Sequence, residues 1–275
     1  MKKGKITDTV ITAMIWAAAF ITVAILAWIL LYVIINGIGK INWEFLTTAP
    51  KGFGGGGIFP MIITTCYIVL LSLLIAAPIG VCSAIYLVEY AKSGKIVRII
   101  RFATESLSGI PSIVFGLFGY LFFVTQLGWK YSLLSGSMTL SIMILPTIIR
   151  TTEESLKAIP VSYREGSLGL GASKLRTILK VVLPSALPGI LIAVILSIGR
   201  IVGETAAVYF TAGFAPHMAK SIMDSSRTLS VHMYVLTKEG NFDSGFATAT
   251  VLIIVVLTMN LIANFIGKRL NKSRI

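Results

Sequence analysis

Long apolar stretches alternate with short polar and mostly basic segments along almost the whole chain. A helix needs about 20 apolar residues to cross a bilayer, and the apolar stretches are long enough. The pattern therefore predicts an all-α fold, a polytopic transmembrane helical bundle of about six spans. The spans are predicted at about residues 10–35, 58–88, 102–125, 135–150, 183–212 and 246–266.

The polar segments between and around these spans complete the predicted organisation. Residues 1–9 form a basic N-terminal tail, residues 151–182 a segment between spans four and five, and residues 268–275 a basic C-terminal tail. The first span is too long for a cleavable signal and lacks a small-residue cleavage site, so we expect it to stay as a membrane helix. The second span should break near Pro78 and Gly80, since proline interrupts a helix.

Composition excludes an ordinary soluble domain. Mean hydropathy is +0.89, and only 13% of the residues are charged, against roughly 25% in globular domains. The net charge of +13 would suit a nucleic-acid binder, but the basic residues lie at the ends of apolar runs, as in membrane proteins. We therefore expect membrane lipids and no nucleic acid as partners. Cys66 and Cys82 lie in one run, roughly 24 Å apart along a helix, so they cannot pair.

The distribution of basic residues predicts the orientation. With six spans, seventeen lysines and arginines fall on the side that holds both termini and segment 151–182, and six fall on the other side. Because basic loops stay in the cytoplasm, both termini and this segment are predicted to be cytoplasmic.

Segment 164–188 is the one long stretch outside the apolar runs that carries a helical pattern of its own. The small residues Gly169, Gly171, Ala172 and Ser173 form a predicted turn where another backbone could approach closely. Leucine, isoleucine and valine then recur at helical spacing, and Pro184 is expected to end the segment. The pattern indicates a docking element, with an ordinary amphipathic loop as the alternative.

Arg200 is predicted near the middle of the fifth span, where a charge costs about 2.5–3.5 kcal/mol and needs a partner or a wet cavity. Glu204 lies one turn later and is the obvious partner, although this order of charges is the less favourable one within a helix. A guanidinium offers forked donors that suit an oxyanion. The pair therefore indicates a functional site, with a neutralised structural pair as the alternative.

Polar residues in the third span form a second candidate. Pro111 leaves backbone carbonyls unpaired, and Ser108 and Ser112 supply hydroxyl groups. Broken helices at membrane depth often line a substrate path, but a simple proline kink is an equal alternative. Arg150, at the end of span four, is interpreted from its position alone as a snorkelling anchor.

Enzymatic and metal chemistry find no support in the sequence. The phosphate-binding pattern GxxxxGK[ST] is missing, so the glycine run at residues 52–57 is interpreted as a flexible connector. His217 and His232 lack metal-ligand spacing and are expected in a surface loop. We predict no cofactor and no metal.

Three motifs resemble the phosphate ABC-importer permeases of the PstA type. They are GGIFPMIITT from Gly56, SLSGIPSIVFGLFGYLFF from Ser106 and GRIVGETAAVYFTAG from Gly199. The order Glu165-Gly-Ser, Gly171, Val181-Val-Leu-Pro184 is similar to the cytoplasmic signature of ABC-importer permeases. Gly166-Ser167 stands where two alanines are usual, which should loosen the helix start by about 1 kcal/mol at the glycine.

The resemblance implies a subunit of a prokaryotic inner membrane that imports phosphate by alternating access. It implies a homologous permease of the PstC type, ATPase subunits of the PstB type and an extracytoplasmic phosphate-binding protein of the PstS type. The substrate-pathway candidates are Arg200, Glu204, Arg150, Ser108 and Ser112. The ATPase-docking candidates are Arg164, Glu165, Gly166, Ser167, Gly169, Gly171, Ala172, Ser173, Leu183 and Pro184.

Other functions stay open at this point. A permease for another oxyanion or small solute would share the docking element. A stand-alone secondary carrier or channel would need no ATPase, and a membrane scaffold would not explain Arg200.

Overall fold

A computed structural model describes residues 2–51, 55–92 and 94–272 of the chain. It describes the side chains of these residues except for residues 2–7, 268 and 270–272. The predicted glycine connector at residues 52–57 lies partly outside the described residues. Nearly all of the described chain is helical, which confirms the all-α prediction. The helices are α1 Lys2–Ile38, α2 Trp43–Thr47, α3 Phe59–Ile85, α4 Lys95–Ser108, α5 Ser112–Gly119, α6 Leu133–Lys157, α7 Val161–Gly169, α8 Lys174–Thr177, α9 Leu183–Gly203, α10 Ala206–Thr211, α11 Leu229–Lys238 and α12 Phe242–Lys272.

Three π-helical turns in the described chain extend or join these helices. Residues Tyr86–Tyr90 continue α3, Tyr120–Gln126 continue α5, and Ile178–Val182 join α8 to α9. Five helical stretches of the described chain are long and apolar enough to cross a membrane, and the bent pair α4–α5 would make a sixth span. A short antiparallel hairpin, β1 Pro50–Lys51 and β2 Gly55–Gly56, precedes α3.

The centre of the bundle is formed by α3, α6 and α9, which pack closely against one another. Leu140, Met143, Ile144 and Ile148 of α6 are fully buried between their neighbours. Gly80 of α3 lies against Ile148, because a β-carbon there would come within 2.6 Å of the isoleucine Cγ2 atom. Helix α3 continues through Pro78 to this contact. The predicted break of the second span is therefore wrong.

The third predicted span is two helices at an angle of 101° rather than one. Helix α4 ends at Ser108, and α5 starts at Ser112, directly after Pro111. Proline disfavours the helical conformation of the residue before it, which explains the break at Ile110. The outer face of α4 carries exposed residues such as Ile96, Ile99 and Phe102.

The fifth span starts earlier than predicted and stops sooner. The helix runs from Lys174 through the π-helical turn into α9. The prediction that Pro184 ends the docking segment is therefore wrong. The wider π-helical turn accommodates the missing N–H group and the bulky ring of the proline. Helix α9 then stops at Gly203, Glu204 is extended, and α10 begins at Ala206.

The remaining helices also differ in length from the predicted spans. Helix α6 continues seven residues beyond the predicted end of span four, to Lys157. Most of the described part of the two basic tails is helical, in α1 and α12. The segment between the fifth and sixth predicted spans, residues 213–245, contains α11, whose N-terminal half is buried.

Candidate functional site

The segment from α7 to α8 projects from the end of the bundle at which α3 and α6 finish. No residue of α7 is buried. Leu170, in the turn after α7, is 91% exposed, and Val161 and Tyr163 are also exposed. Exposed apolar side chains are common on surfaces that contact another protein or the membrane.

The turn between α7 and α8 is built as the small-residue pattern indicated. Gly171 has φ +85°, in the left-handed region that favours glycine. Its N–H donates to the carbonyl of Leu168 at 2.9 Å, which ends α7. The Ser173 hydroxyl accepts from the Arg176 N–H at 3.4 Å and caps α8. The Ser167 and Thr177 hydroxyl oxygens lie 2.9 Å apart and tie the two helices together.

Arg164 lies on the inner side of α7, facing the bundle. Its guanidinium group contacts the Glu89 carboxylate at 2.8 Å and donates to the carbonyl oxygens of Leu156 at 2.8 Å and Ile159 at 2.9 Å. These partners lie at the ends of α3 and α6. Arg164 therefore holds α7 against the bundle and is only 18% exposed at its side chain.

Four of the other docking candidates, Gly166, Ser167, Gly171 and Ala172, line an open cavity of about 570 Å³ beside this turn. Glu165 is exposed, whereas Leu183 and Pro184 are half-buried in the first turn of α9, away from this cavity. No atom outside the local chain lies within 4 Å of a β-carbon built on Gly166, Gly169 or Gly171. The residues that line the cavity are Ser162, Tyr163, Gly166, Ser167, Leu170, Gly171, Ala172, Arg176 and Val181.

Arg200 and Glu204 do not form the ion pair that their spacing suggested. Arg200 lies in the last turn of α9 rather than in the middle of a span, and no described carboxylate approaches it within 4.0 Å. The helix stops between the two residues, so their side chains no longer share one helical face. The Glu204 carboxylate instead accepts from the Ala207 N–H at 3.1 Å, at the start of α10.

The break beside Arg200 is a defined structure held by α11. The Ser230 hydroxyl donates to the Glu204 carbonyl at 2.8 Å and satisfies an acceptor that the broken helix leaves free. Arg200 is half-buried, and Gly199 and Gly203 beside it have no outside atom within 4 Å of a built β-carbon. The guanidinium thus remains accessible next to open backbone.

A second cavity, of about 370 Å³, lies between α4 and α6 and includes Ser108 and Arg150 in its lining. Arg150 contacts Glu154 at 3.4 Å, and both side chains are well exposed. The Ser108 hydroxyl donates to the Glu105 carbonyl at 2.8 Å. Ser112 lies apart from this cavity, in the first turn of α5. The structure therefore brings together two of the five pathway candidates.

The same cavity contains a charged cluster that the sequence analysis missed. Glu153 of α6 is 7% exposed and lies 2.7 Å from Arg101 and 2.6 Å from Lys157. These contacts are close in distance but not aligned as hydrogen bonds. They connect α4 to α6 across the bend. The i, i+4 spacing of Glu153 and Lys157 was visible in the sequence, whereas the contact with Arg101 depends on the angle of α4.

His232 is also placed differently from the prediction. It lies on α11 and is 4% exposed, so the surface-loop interpretation is wrong. Arg227, just before α11, is 9% exposed. The histidine could have been found by pattern, because it follows Leu229 and Val231 and precedes Leu236 on a helix with an apolar face. Among the described residues, no group of three or more histidine, cysteine or acidic side chains is arranged to hold a metal ion.

The fold is that of membrane permeases from ABC importers. A bacterial alginate ABC transporter, crystallised with its alginate-bound periplasmic protein, superposes with a TM-score of 0.71 at 15% identity, over 96% of each chain. The MetNI methionine ABC transporter superposes with a TM-score of 0.58 at 20% identity, over 80% of this chain and 94% of the other. At such identities the likeness shows the fold alone.

Sequence comparison gives the family. Residues 76–275 match the model of the binding-protein-dependent transport system inner membrane component family, and the chain belongs to this family. It is therefore a transport subunit of the inner membrane, in a system that includes a binding protein and an ATPase.

Curated relatives match nearly the whole chain. The probable ABC transporter permease protein YqgI of Bacillus subtilis is 36% identical over 98% of this chain and 97% of its own length. The phosphate transport system permease protein PstA of Pasteurella multocida is 33% identical over 94% of both chains. PstA of Mycobacterium leprae is 32% identical over 94% of this chain and 88% of its own.

Proposed function

We propose that this chain is the permease subunit of an ATP-driven phosphate importer and forms half of the membrane pathway. The observation that carries the proposal is Arg200, a half-buried guanidinium beside a helix break with no described carboxylate in reach. A charge in that position favours an anionic ligand, since the forked donors suit an oxyanion. The PstA relatives of Pasteurella multocida and Mycobacterium leprae support phosphate as that anion.

The docking surface for the ATPase is the exposed segment from Val161 to Ser173. Its apolar residues, above all Leu170, suit burial against another protein. The excess of basic residues on this side of the membrane supports a cytoplasmic position for the segment and for both termini. ATP would be hydrolysed on partner subunits of the PstB type, with a PstC-type permease completing the pathway and a PstS-type protein delivering phosphate.

The connection between docking and pathway is mechanical. The stretch from Lys174 to Gly203 is one continuous helical rod of 30 residues, about 45 Å long. Arg200 lies at one end of the rod and the docking turn at the other. Movement of α7 by the ATPase would tilt this rod and move the guanidinium between two openings of the pathway. Alternating access of this kind agrees with the break at Glu204, which allows α9 to move relative to α10.

Reconstitution of the complete importer in proteoliposomes tests this function. With the binding protein and ATP supplied, labelled phosphate uptake should fall about 100-fold or more in Arg200→Ala, since two lost charge-assisted hydrogen bonds are worth roughly 3 kcal/mol or more. Arg200→Lys, which keeps the charge without the fork, should recover only part of the uptake. The assembled complex should elute unchanged in both variants.

Four outcomes would contradict the proposal. Normal uptake by Arg200→Ala would remove Arg200 from the pathway, and loss of the assembled complex would make its role structural. Uptake by the chain alone, driven by an ion gradient, would favour a secondary carrier. If sulfate or molybdate were imported in preference to phosphate, the substrate would be another oxyanion. The Bacillus subtilis relative, whose name gives no substrate, is compatible with that outcome.

A further inference from the structure

A cavity of about 280 Å³ lies at the end of the bundle opposite to α7. One wall is the hairpin, with Gly55, Gly56 and Gly57, and the other is formed by α11 and the start of α12. Arg227 and His232 line it, and Glu239 is the acidic residue in its lining. Arg200 is not part of this lining, so the cavity is separate from the pathway candidate.

Arg227 presents a buried positive charge to this cavity. The residue is 9% exposed, and its Nε atom has no hydrogen-bond partner among the described residues. No described carboxylate lies within 4.0 Å of its guanidinium, because Arg227 takes part in none of the ion pairs of the described chain. A buried charge without a partner is costly, which favours a site where a ligand completes the arrangement.

The backbone around Arg227 holds the side chain in place. The Arg227 N–H donates to the Ala215 carbonyl at 3.1 Å. Just before it, the Ser226 hydroxyl lies 2.7 Å from that of Thr64 on α3. Just after it, the Thr228 hydroxyl caps α11. The backbone at Arg227 is thus fixed on both sides by hydrogen bonds, which limits the positions that its side chain can take.

His232 adds a second unpartnered nitrogen to the same cavity. It is 4% exposed, and its Nδ1 atom has no hydrogen-bond partner among the described residues. Burial, and secondarily the charge of Arg227, lower the pKa of His232 to about 3, so the imidazole is neutral at physiological pH. A neutral imidazole still carries one N–H, which can be placed on Nδ1 to meet an anion.

We propose that this cavity binds a small oxyanion, such as inorganic phosphate, through the guanidinium of Arg227 and the imidazole of His232. The site is additional to the proposed translocation pathway and does not depend on it. Forked guanidinium donors and an imidazole N–H match the geometry of oxyanions, and a cavity of this volume has room for the anion with several waters. Glu239 opposes the anion electrostatically and sets a limit on its affinity.

A structural alternative is that Glu239 swings in as the counter-ion of Arg227. The two interpretations differ in the binding of phosphate by wild type and in the effect of Glu239→Gln on stability. If the cavity takes an anion, wild type binds phosphate and Glu239→Gln removes repulsion and tightens binding. If Glu239 is the counter-ion, wild type does not bind phosphate, and Glu239→Gln lowers the thermal midpoint because Arg227 stays buried without a partner.

Equilibrium dialysis of labelled inorganic phosphate against the purified full chain in detergent provides the test. We expect Arg227→Gln to weaken the phosphate Kd at least tenfold and Glu239→Gln to tighten it two- to tenfold. Lys220→Gln is the matched control, since it removes an exposed positive charge outside the cavity lining. It should change the Kd less than twofold.

The results separate this site from the proposed pathway. If Arg200→Gln loses phosphate binding and Arg227→Gln keeps it, the anion lies in the pathway and the cavity proposal is overturned. Equal binding in wild type, Arg227→Gln and Glu239→Gln, or no binding by wild type at millimolar phosphate, also overturns it. Should Arg227→Gln fail to fold, Glu239→Gln decides: tighter binding supports the site, and unchanged or weaker binding removes it.

Discussion

Replacement of Arg164 by alanine should release α7 from the bundle without unfolding the rest of the protein. The wild-type guanidinium contacts Glu89 and two backbone carbonyls at 2.8–2.9 Å. Because α7 has no buried residue, little else attaches it apart from the hydroxyl contact between Ser167 and Thr177. The substitution therefore removes the main connection between the proposed docking helix and the helices α3 and α6.

The magnitude follows from the burial of the pair. Breaking a fully buried ion pair costs about 3–5 kcal/mol, because the remaining charge stays unpaired. The side chains of Arg164 and Glu89 are 18% and 9% exposed, so solvent screens the loss to roughly 2–4 kcal/mol. A loss of this size raises the population of the detached α7 about 30-fold or more.

Hydrogen exchange of residues 161–169 in the assembled complex measures this population. Exchange of these amides should accelerate about 30-fold or more in Arg164→Ala, while α6 keeps its protection. Arg164→Lys keeps the charge but cannot reach Glu89 and both carbonyls at once, so an intermediate rate is expected. Unchanged exchange in Arg164→Ala would refute the assignment of Arg164 as the connection, and exchange that rises throughout the chain would make it a global stabiliser.

Three further predictions concern glycines and the buried histidine. Gly80→Ala should lower the thermal midpoint in detergent by an amount equivalent to about 1–3 kcal/mol, because the added methyl group meets α6. Gly166→Ala is the control, since Gly166 has open space around it, and it should leave the midpoint equal or higher. Equal effects of the two substitutions would contradict the close packing at Gly80. Gly171→Asp should uncouple ATP hydrolysis from transport, because a side chain is strained at φ +85° and the carboxylate adds charge to the docking turn. Unchanged transport by this variant would contradict the proposed docking of the ATPase. The pKa of His232 is lowered to about 3 from 6.5, so its titration leaves stability unchanged above pH 6.5 and reduces it as pH falls from 6.5 toward 3, because the unfolded chain binds a proton that the folded chain does not. Wild type should therefore lose roughly 2 kcal/mol between pH 7.5 and 5 that His232→Asn keeps; equal acid sensitivity of the two proteins would contradict the burial of the imidazole.

The transmembrane character of the chain could be predicted because long apolar runs are a strong and local signal. The turn at Gly171 was predictable for a similar reason, since glycine at a helix end reports a local backbone conformation. Prolines were harder to interpret. Pro78 and Pro184 sit inside helices, while Pro111 breaks one. Tertiary packing decides between these outcomes, through the contact at Gly80 in the first case and a π-helical turn in the second.

The arrangement of the candidate site was harder to predict from the sequence, because it depends on contacts between residues far apart in the chain. The spacing of Arg200 and Glu204 suggested a pair only on the assumption of a continuous helix, and the stop at Gly203 removes that assumption. Arg164 was recognised within the docking pattern, but its inward role required Glu89, which lies 75 residues earlier. The cavity around Arg227 combines the hairpin, α11 and α12, so no local pattern could have revealed it.

Transport driven by a separate ATPase requires the docking turn to lie on the cytoplasmic side of the membrane. A cysteine placed at Leu170, which is 91% exposed, can be tested with a membrane-impermeant maleimide in cells where Cys66 and Cys82 have been replaced by serine. A cysteine at the exposed Lys130, in the loop between α5 and α6, serves as the matched control on the other side.

Labelling in intact cells and in inverted membrane vesicles completes the measurement. We expect the cysteine at position 170 to react only in inverted vesicles and the one at position 130 only in intact cells. Labelling of position 170 from outside intact cells would contradict the proposed docking of a cytoplasmic ATPase, because an ATPase in the cytoplasm could not reach the turn.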